Sequence, residues 1–132
     1  MSVEDLVTLY RPVGGRELEL VRQSDFTAFP PRLPGQPIFY PVLEEEYAVQ
    51  IARDWNANDA QSGNKGYVLR FRARRDFLNR YAVHQVGTKI HREYWIPAED
   101  LAEFNRNIAG KIEVAREFGK SDTSGREVTR EE

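Results

Sequence analysis

A chain of 132 residues with 40% hydrophobic content is long enough to close one core and short enough to need only one, so a single domain is expected. Cysteine is absent, which removes disulfides, thiolate nucleophiles and cysteine zinc sites, and a formal net charge of -2 gives no general attraction for a phosphate backbone. No apolar run approaches the ~20 residues that span a bilayer, and the opening Met1-Ser-Val-Glu-Asp5 lacks the basic region and apolar core of a signal peptide, so a soluble cytoplasmic protein is expected.

Leu6 to Tyr10 combines leucine, β-branched and aromatic side chains and reads as a strand, with Arg11 at its end. Pro12 and Gly14-Gly15 break the chain before Arg16 to Gln23, where Leu18 and Val21 stand at helical spacing. Ser24 to Gly35 reads as a connection whose Phe26 and Phe29 help to seal the core. From Arg32 the chain is punctuated by Pro34, Gly35, Pro37 and Pro41 around a short Ile38-Phe39-Tyr40 strand. Glu44, Glu45 and Glu46 then suit a helix start, and Tyr47, Ala48, Ile51, Ala52 and Trp55 form the apolar stripe of a helix over 44–55.

Asn56 to Gly66 is polar and glycine-bearing and reads as an exposed, mobile loop. Tyr67 to Ala73 alternates, with Tyr67, Leu69, Phe71 and Ala73 on one face and Val68, Arg70 and Arg72 on the other, which predicts a half-buried antiparallel strand. One helical turn over 75–80 buries Phe77 and Leu78. Tyr81 to Val86 and Lys89 to Ile96 then form a hairpin about Gly87-Thr88, with His91, Glu93 and Trp95 on a common face. Pro97 opens another helix with Leu101, Phe104 and Ile108 as its stripe and Gly110 as its stop. Lys111 to Ala115 is the last strand, and residues 119–132 read as a disordered polar tail behind a domain spanning 1–118.

Chemistry is constrained by elimination. The serines lack the strained glycine-flanked turn of a nucleophile elbow, and no glycine-rich phosphate loop is present. His84 and His91 lie on opposed strands and would need a third ligand such as Glu93 to hold a metal. Arg70, Arg72, Arg74 and Arg75 make one basic patch that admits nucleic acid without indicating it. Arg11, Arg32, Tyr40, His91 and Glu93 remain. Arginine suits a diphosphate or a carboxylate, tyrosine stacks on a flat ring, and a strand carboxylate holds a ribose hydroxyl or an oxocarbenium-like centre. A purely structural reading stands beside this one: Arg11 paired with Glu93, Tyr40 in the core and His91 a solvated strand residue.

The segments Leu9-Tyr10-Arg11, Ile38-Phe-Tyr-Pro-Val-Leu-Glu-Glu-Glu-Tyr-Ala-Val-Gln-Ile-Ala52 and His91-Arg-Glu-Tyr-Trp-Ile-Pro-Ala-Glu-Asp-Leu-Ala-Glu-Phe-Asn105 resemble a family of small bacterial proteins labelled "ADP-ribosylation/crystallin J1". Crystallin J1 itself belongs with larger all-helical, two-metal glycohydrolases. The layout here is similar instead to the ADP-ribosyltransferase-like fold. That resemblance implies an α+β domain, a split β-sheet with two main packed helices around a cleft for NAD. It further implies Arg11 for the NAD phosphates or ribose, Tyr40 for stacking near nicotinamide, and Glu93 as the catalytic carboxylate at the ribose hydroxyl of the reacting carbon. His91 stands two before Glu93, where glutamine or glutamate is common in the family, and is carried as a NAD-binding position. Arg32-Leu-Pro-Gly-Gln-Pro-Ile-Phe-Tyr40 resembles the arginine loop of RES-type NAD-degrading toxins, which implies Arg32 as a second phosphate ligand. The serine-threonine-serine of arginine-modifying transferases has no counterpart, so the acceptor is left open between an unknown group and water. The rival expectation is a non-catalytic module on the same fold that binds a protein or nucleic-acid partner.

Overall fold

The structure, a computed structural model, describes residues 5–119 and 126–127 and is an α+β arrangement. Its backbone is an antiparallel sheet in the order β1-β3-β7-β8, built from β1 (Leu6–Gly14), β3 (Lys65–Arg74), β7 (Ile108–Gly119) and β8 (Arg126–Glu127). Two small ribbons complete it: β2 (Ile38–Phe39) with β6 (Ile96–Pro97), and β4 (Val83–Gln85) with β5 (Arg92–Tyr94). The helices are α1 (Gly15–Gln23), α2 (Glu45–Asp54), α3 (Arg75–Leu78) and α4 (Leu101–Arg106). No helix among the described residues is long and apolar enough to cross a membrane.

Alternation along β3 decides how the layers pack. Leu69, Phe71 and Ala73 point into the main core with Leu9, Phe39, Phe104 and Ile112, and Phe29 joins them 5.0 Å from Phe39 and 4.9 Å from Phe71 between ring centroids. Val68 points the other way and is fully buried with Ala48 and Ala52 of α2 and with Ala115 and Phe118 of β7. The strand expected to be half-buried is therefore covered on both faces at its first half, because the small residues of α2 let the helix lie close. Gly66 is what permits that approach: a Cβ there would fall 2.2 Å from the Ala52 carbonyl oxygen.

Other expectations shift for local reasons. The stretch read as an open mobile loop folds into two 3₁₀ turns, Asn56–Asn58 and Ala60–Ser62, with Ala57 fully buried and the Asp59 carboxylate accepting from the Gln61 N–H at 3.0 Å. Its asparagines and aspartate form turns, with Asn58 still exposed to solvent. The helix expected to run to Gly110 ends at Arg106, where the Asn107 side-chain amide donates to the Glu103 carbonyl at 2.9 Å. Gly110, with φ 75°, belongs to β7 and lies where the register moves from Arg70↔Glu113 to Arg72↔Ala109. Arg126–Glu127, within the stretch read as tail, pairs with β7, and residues 120–125 and 128–132 of that stretch lie outside the described residues.

Val42 joins the β4–β5 ribbon to the main sheet. Val42 exchanges both backbone hydrogen bonds with Tyr10, each 2.9 Å, and bridges Glu93 on its other side, while Tyr94 N–H donates to the Pro41 carbonyl at 2.9 Å. This splice places Val42 between Tyr10 of β1 and Glu93 of β5, and so fixes how far Glu93 lies from the strand that carries Arg11.

Candidate functional site

Arg11 follows Leu9 on the core side of β1 and is only 9% exposed. A buried guanidinium needs compensation, and Glu17 in the first turn of α1 supplies it: Nε and Nη2 donate to the two carboxylate oxygens at 2.7 and 3.0 Å. The plane lies over Phe39, 4.6 Å from the ring centroid, and Nη1 reaches the Tyr40 carbonyl at 3.4 Å. The Arg11–Glu93 ion pair of the structural reading is thus replaced by Arg11–Glu17.

Arg32 is carried over the same ring, 5.9 Å from its centroid, by a loop stiffened at both ends. Before it, the Asn105 amide clamps the backbone of Phe29, accepting from N–H at 2.9 Å and donating to the carbonyl at 3.0 Å. After it, Leu33-Pro34-Gly35-Gln36 closes a turn with the Gln36 N–H on the Leu33 carbonyl at 3.0 Å and Gly35 at φ 84°. Among the described residues Arg32 forms no hydrogen bond or ion pair, and its Nε is shut away from solvent. Burial, and then the neighbouring Arg11 cation, push its pKa down. Glu17 is taken by Arg11, so the Arg32 guanidinium stands beside that pair without a carboxylate bonded to it.

Glu93 is 8% exposed, and each carboxylate oxygen accepts a bond: Tyr47 O–H to Oε1 at 2.8 Å and Trp95 Nε1–H to Oε2 at 2.7 Å. Each oxygen keeps further acceptor capacity. Burial, and then the bond to Glu93, raise the Tyr47 phenol from 10.0 to about 12. Trp95 is stacked on His84, with centroids 3.7 Å apart and planes 8° from parallel. Tyr40 is outside the core, 40% exposed, and meets Trp95 edge to face at 6.5 Å.

His91 goes elsewhere. The Thr88 backbone N–H donates to its Nδ1 at 2.9 Å, so the proton is on Nε2, which donates to the Gln50 side-chain oxygen at 2.8 Å. The ring also packs edge-on against Tyr47 at 4.9 Å. With His84 against Trp95 and His91 against α2, the two histidines do not converge, and no metal-holding cluster of three acidic or histidine side chains occurs among the described residues.

Two adjoining cavities result. One of about 320 Å³ is walled by Arg11, Arg16, Glu17, Arg32, Leu33 and Asn56. The other, of about 400 Å³, is walled by Arg11, Tyr40, Ile51, Asn56, Glu93 and Trp95. Arg11, Pro12 and Asn56 belong to both. Of the residues singled out from the sequence, Arg11, Tyr40 and Glu93 share one cavity and Arg11 and Arg32 the other, and His91 lines neither. Glu17, Tyr47, Trp95 and Asn56 were missed. Trp95 was legible, since strand alternation sets it on the face of Glu93, whereas Tyr47 was absorbed into the apolar stripe of α2.

The basic patch is partly neutralised: Arg70 pairs with Glu113 at 3.1 Å and Arg75 with Asp5 at 3.0 Å. Comparison with protein-family models, with curated proteins and with solved structures returned no match.

Proposed function

We propose that this chain binds NAD across the two cavities, as an α+β protein of ADP-ribosyltransferase-like build, and cleaves the nicotinamide–ribose bond with transfer to an unknown acceptor or to water. The supporting observation is the pairing of opposite chemistries through a shared wall: a guanidinium without hydrogen-bond partners on one side, a buried and fixed carboxylate between two aromatic rings on the other. Arg32, assisted by Arg11, holds the diphosphate, and Tyr40 with Trp95 borders the nicotinamide ring. The bond from the ribose carbon to the pyridinium nitrogen breaks, and its electron pair leaves with neutral nicotinamide. Glu93 lies against the resulting oxocarbenium-like sugar and lowers its energy; the acceptor oxygen or nitrogen then bonds to that carbon and releases its proton.

Arg32→Ala is expected to weaken NAD binding about tenfold or more, and Glu93→Gln to keep binding while nicotinamide release stops. Release undiminished in Glu93→Gln would overturn the catalytic assignment. A second reading has its own observation, since both Glu93 oxygens are already bonded to Tyr47 and Trp95. A binding module that holds its ligand without turnover would show NAD affinity in the wild type and no nicotinamide release.

A further inference from the structure

Glu93 lies between two donors of different kinds. Trp95 donates to Oε2 and itself walls the cavity; Tyr47 donates to Oε1 and is not among the lining residues of either cavity. Tyr47 therefore grips the carboxylate from the protein side and leaves the other side to the ligand. The grip has its own support. Tyr47 and Gln50 lie three apart on α2 and so on one face of the helix, and both engage His91: Tyr47 through its ring at 4.9 Å, Gln50 through the 2.8 Å bond to Nε2. His91 is held in turn at Nδ1 by the Thr88 N–H, and Gly87 sits so close that a Cβ there would fall 2.5 Å from Nδ1. The hairpin turn, His91 and α2 thus fix the Tyr47 ring, and its hydroxyl fixes Glu93.

The structure assigns Tyr47 as the positioning residue for the Glu93 carboxylate, acting from outside the ligand cavity, with His91 and Gln50 as its support. The assignment of a reaction to Glu93 rests on the NAD reading above; the positioning itself does not. It also gives His91 a place: behind the site, two residues from the carboxylate it helps to orient. A phenol suits the task because it donates one bond and is protonated at every physiological pH even at its ordinary value of 10.0.

Tyr47→Phe tests this, since the ring that packs on His91 is kept and only the hydroxyl goes. A cooperative melt somewhat below that of the wild type is expected, because Oε1 of Glu93 loses its donor, with the KM for NAD unchanged within about twofold and kcat for nicotinamide release reduced on the order of 10- to 100-fold, the scale of a misplaced reacting group. A purely structural tyrosine would leave kcat unchanged in folded protein. The second readout needs no turnover. The chain has two tryptophans, so the indole N–H of Trp95 is resolved against that of Trp55 in an NMR spectrum. Releasing the carboxylate from Tyr47 is expected to move the Trp95 signal and leave that of Trp55 in place, with Glu93→Gln supplying the reference displacement. An unmoved Trp95 signal would overturn the positioning role. A wild type that releases no nicotinamide would overturn the enzymatic reading, and the Trp95 signal would still decide between positioning and packing.

Discussion

Arg11 and Glu17 show how a single ion pair shapes the site. The pair is bidentate and mostly shielded, with side-chain exposures of 10% and 21%, so removing one partner strands the other charge in poor solvent. Arg11→Ala is expected to cost about 2 to 3 kcal/mol in denaturant unfolding, short of a fully buried pair because Glu17 can still turn toward water. A loss under about 0.5 kcal/mol would contradict the account. Arg32 is the better probe of binding, having no such structural partner among the described residues. Tyr47 gives a second residue-scale prediction. Its folded value of about 12 lies above the ordinary 10.0, so below pH 10 the phenol is protonated folded or unfolded and contributes no pH dependence. Between those values the unfolded chain gives up its proton first, and stability falls as pH rises. Glu93→Gln removes the negative charge and leaves the burial and an amide oxygen that can still accept from the phenol, so the Tyr47 titration is expected to move part of the way back toward 10.0. Tyr81, held at about 12 by burial and Asp100, is the internal control in a tyrosinate absorbance titration. Unchanged late-titrating absorbance in Glu93→Gln would contradict the Tyr47–Glu93 coupling.

At the scale of elements, the site depends on how closely α2 lies on β3. Ala48, Ala52 and Val68 are each fully buried at this contact, and Gly66 supplies the clearance. A methyl group at Gly66 would meet backbone, the Ala52 carbonyl oxygen at 2.2 Å, and would also crowd the Asn56 Cβ at 3.1 Å, so neither neighbour can give way without moving the helix end. Gly66→Ala is therefore expected to destabilise by about 2 kcal/mol and to weaken NAD binding together with it, because Asn56, crowded by the new methyl group, walls both cavities. Full stability in that variant, read from its unfolding midpoint, would contradict the packing described. The Val42 splice acts at the same scale: one residue hydrogen-bonded to Tyr10 and bridged to Glu93 sets the spacing between the arginine and carboxylate sides of the site.

Across the whole molecule, the regular elements were legible in the sequence and their joins were not. Alternation in Tyr67 to Ala73 and the three- and four-residue stripe of α2 correspond to elements of the structure, whereas the hairpin about Gly87-Thr88 keeps only Val83–Gln85 and Arg92–Tyr94 as strands, with Gly87 to His91 in the loop between them. The double coverage of Val68 was hidden, since an apolar residue among arginines gives no sign that a helix lies over it. Gly110 read as a helix stop because a glycine after an apolar stripe has the same local signature whether it ends a helix or sits in a bulge. In the site, Arg11, Tyr40 and Glu93 were legible as residue types, and the splice brings them to one cavity. Glu17 as the partner of Arg11 was not, because both Glu17 and Glu93 offer a carboxylate and only the tertiary fold chooses between them. Tyr47 was hidden for a related reason, an aromatic at a core spacing whose hydroxyl alone carries the polar contact. The most direct test of the central claim is a calorimetric titration of the full chain with NAD, its folding confirmed by a cooperative melt. One saturable site per chain, with nicotinamide accumulating in the same samples, is the predicted result; a folded protein that takes up no NAD at millimolar concentration would contradict it.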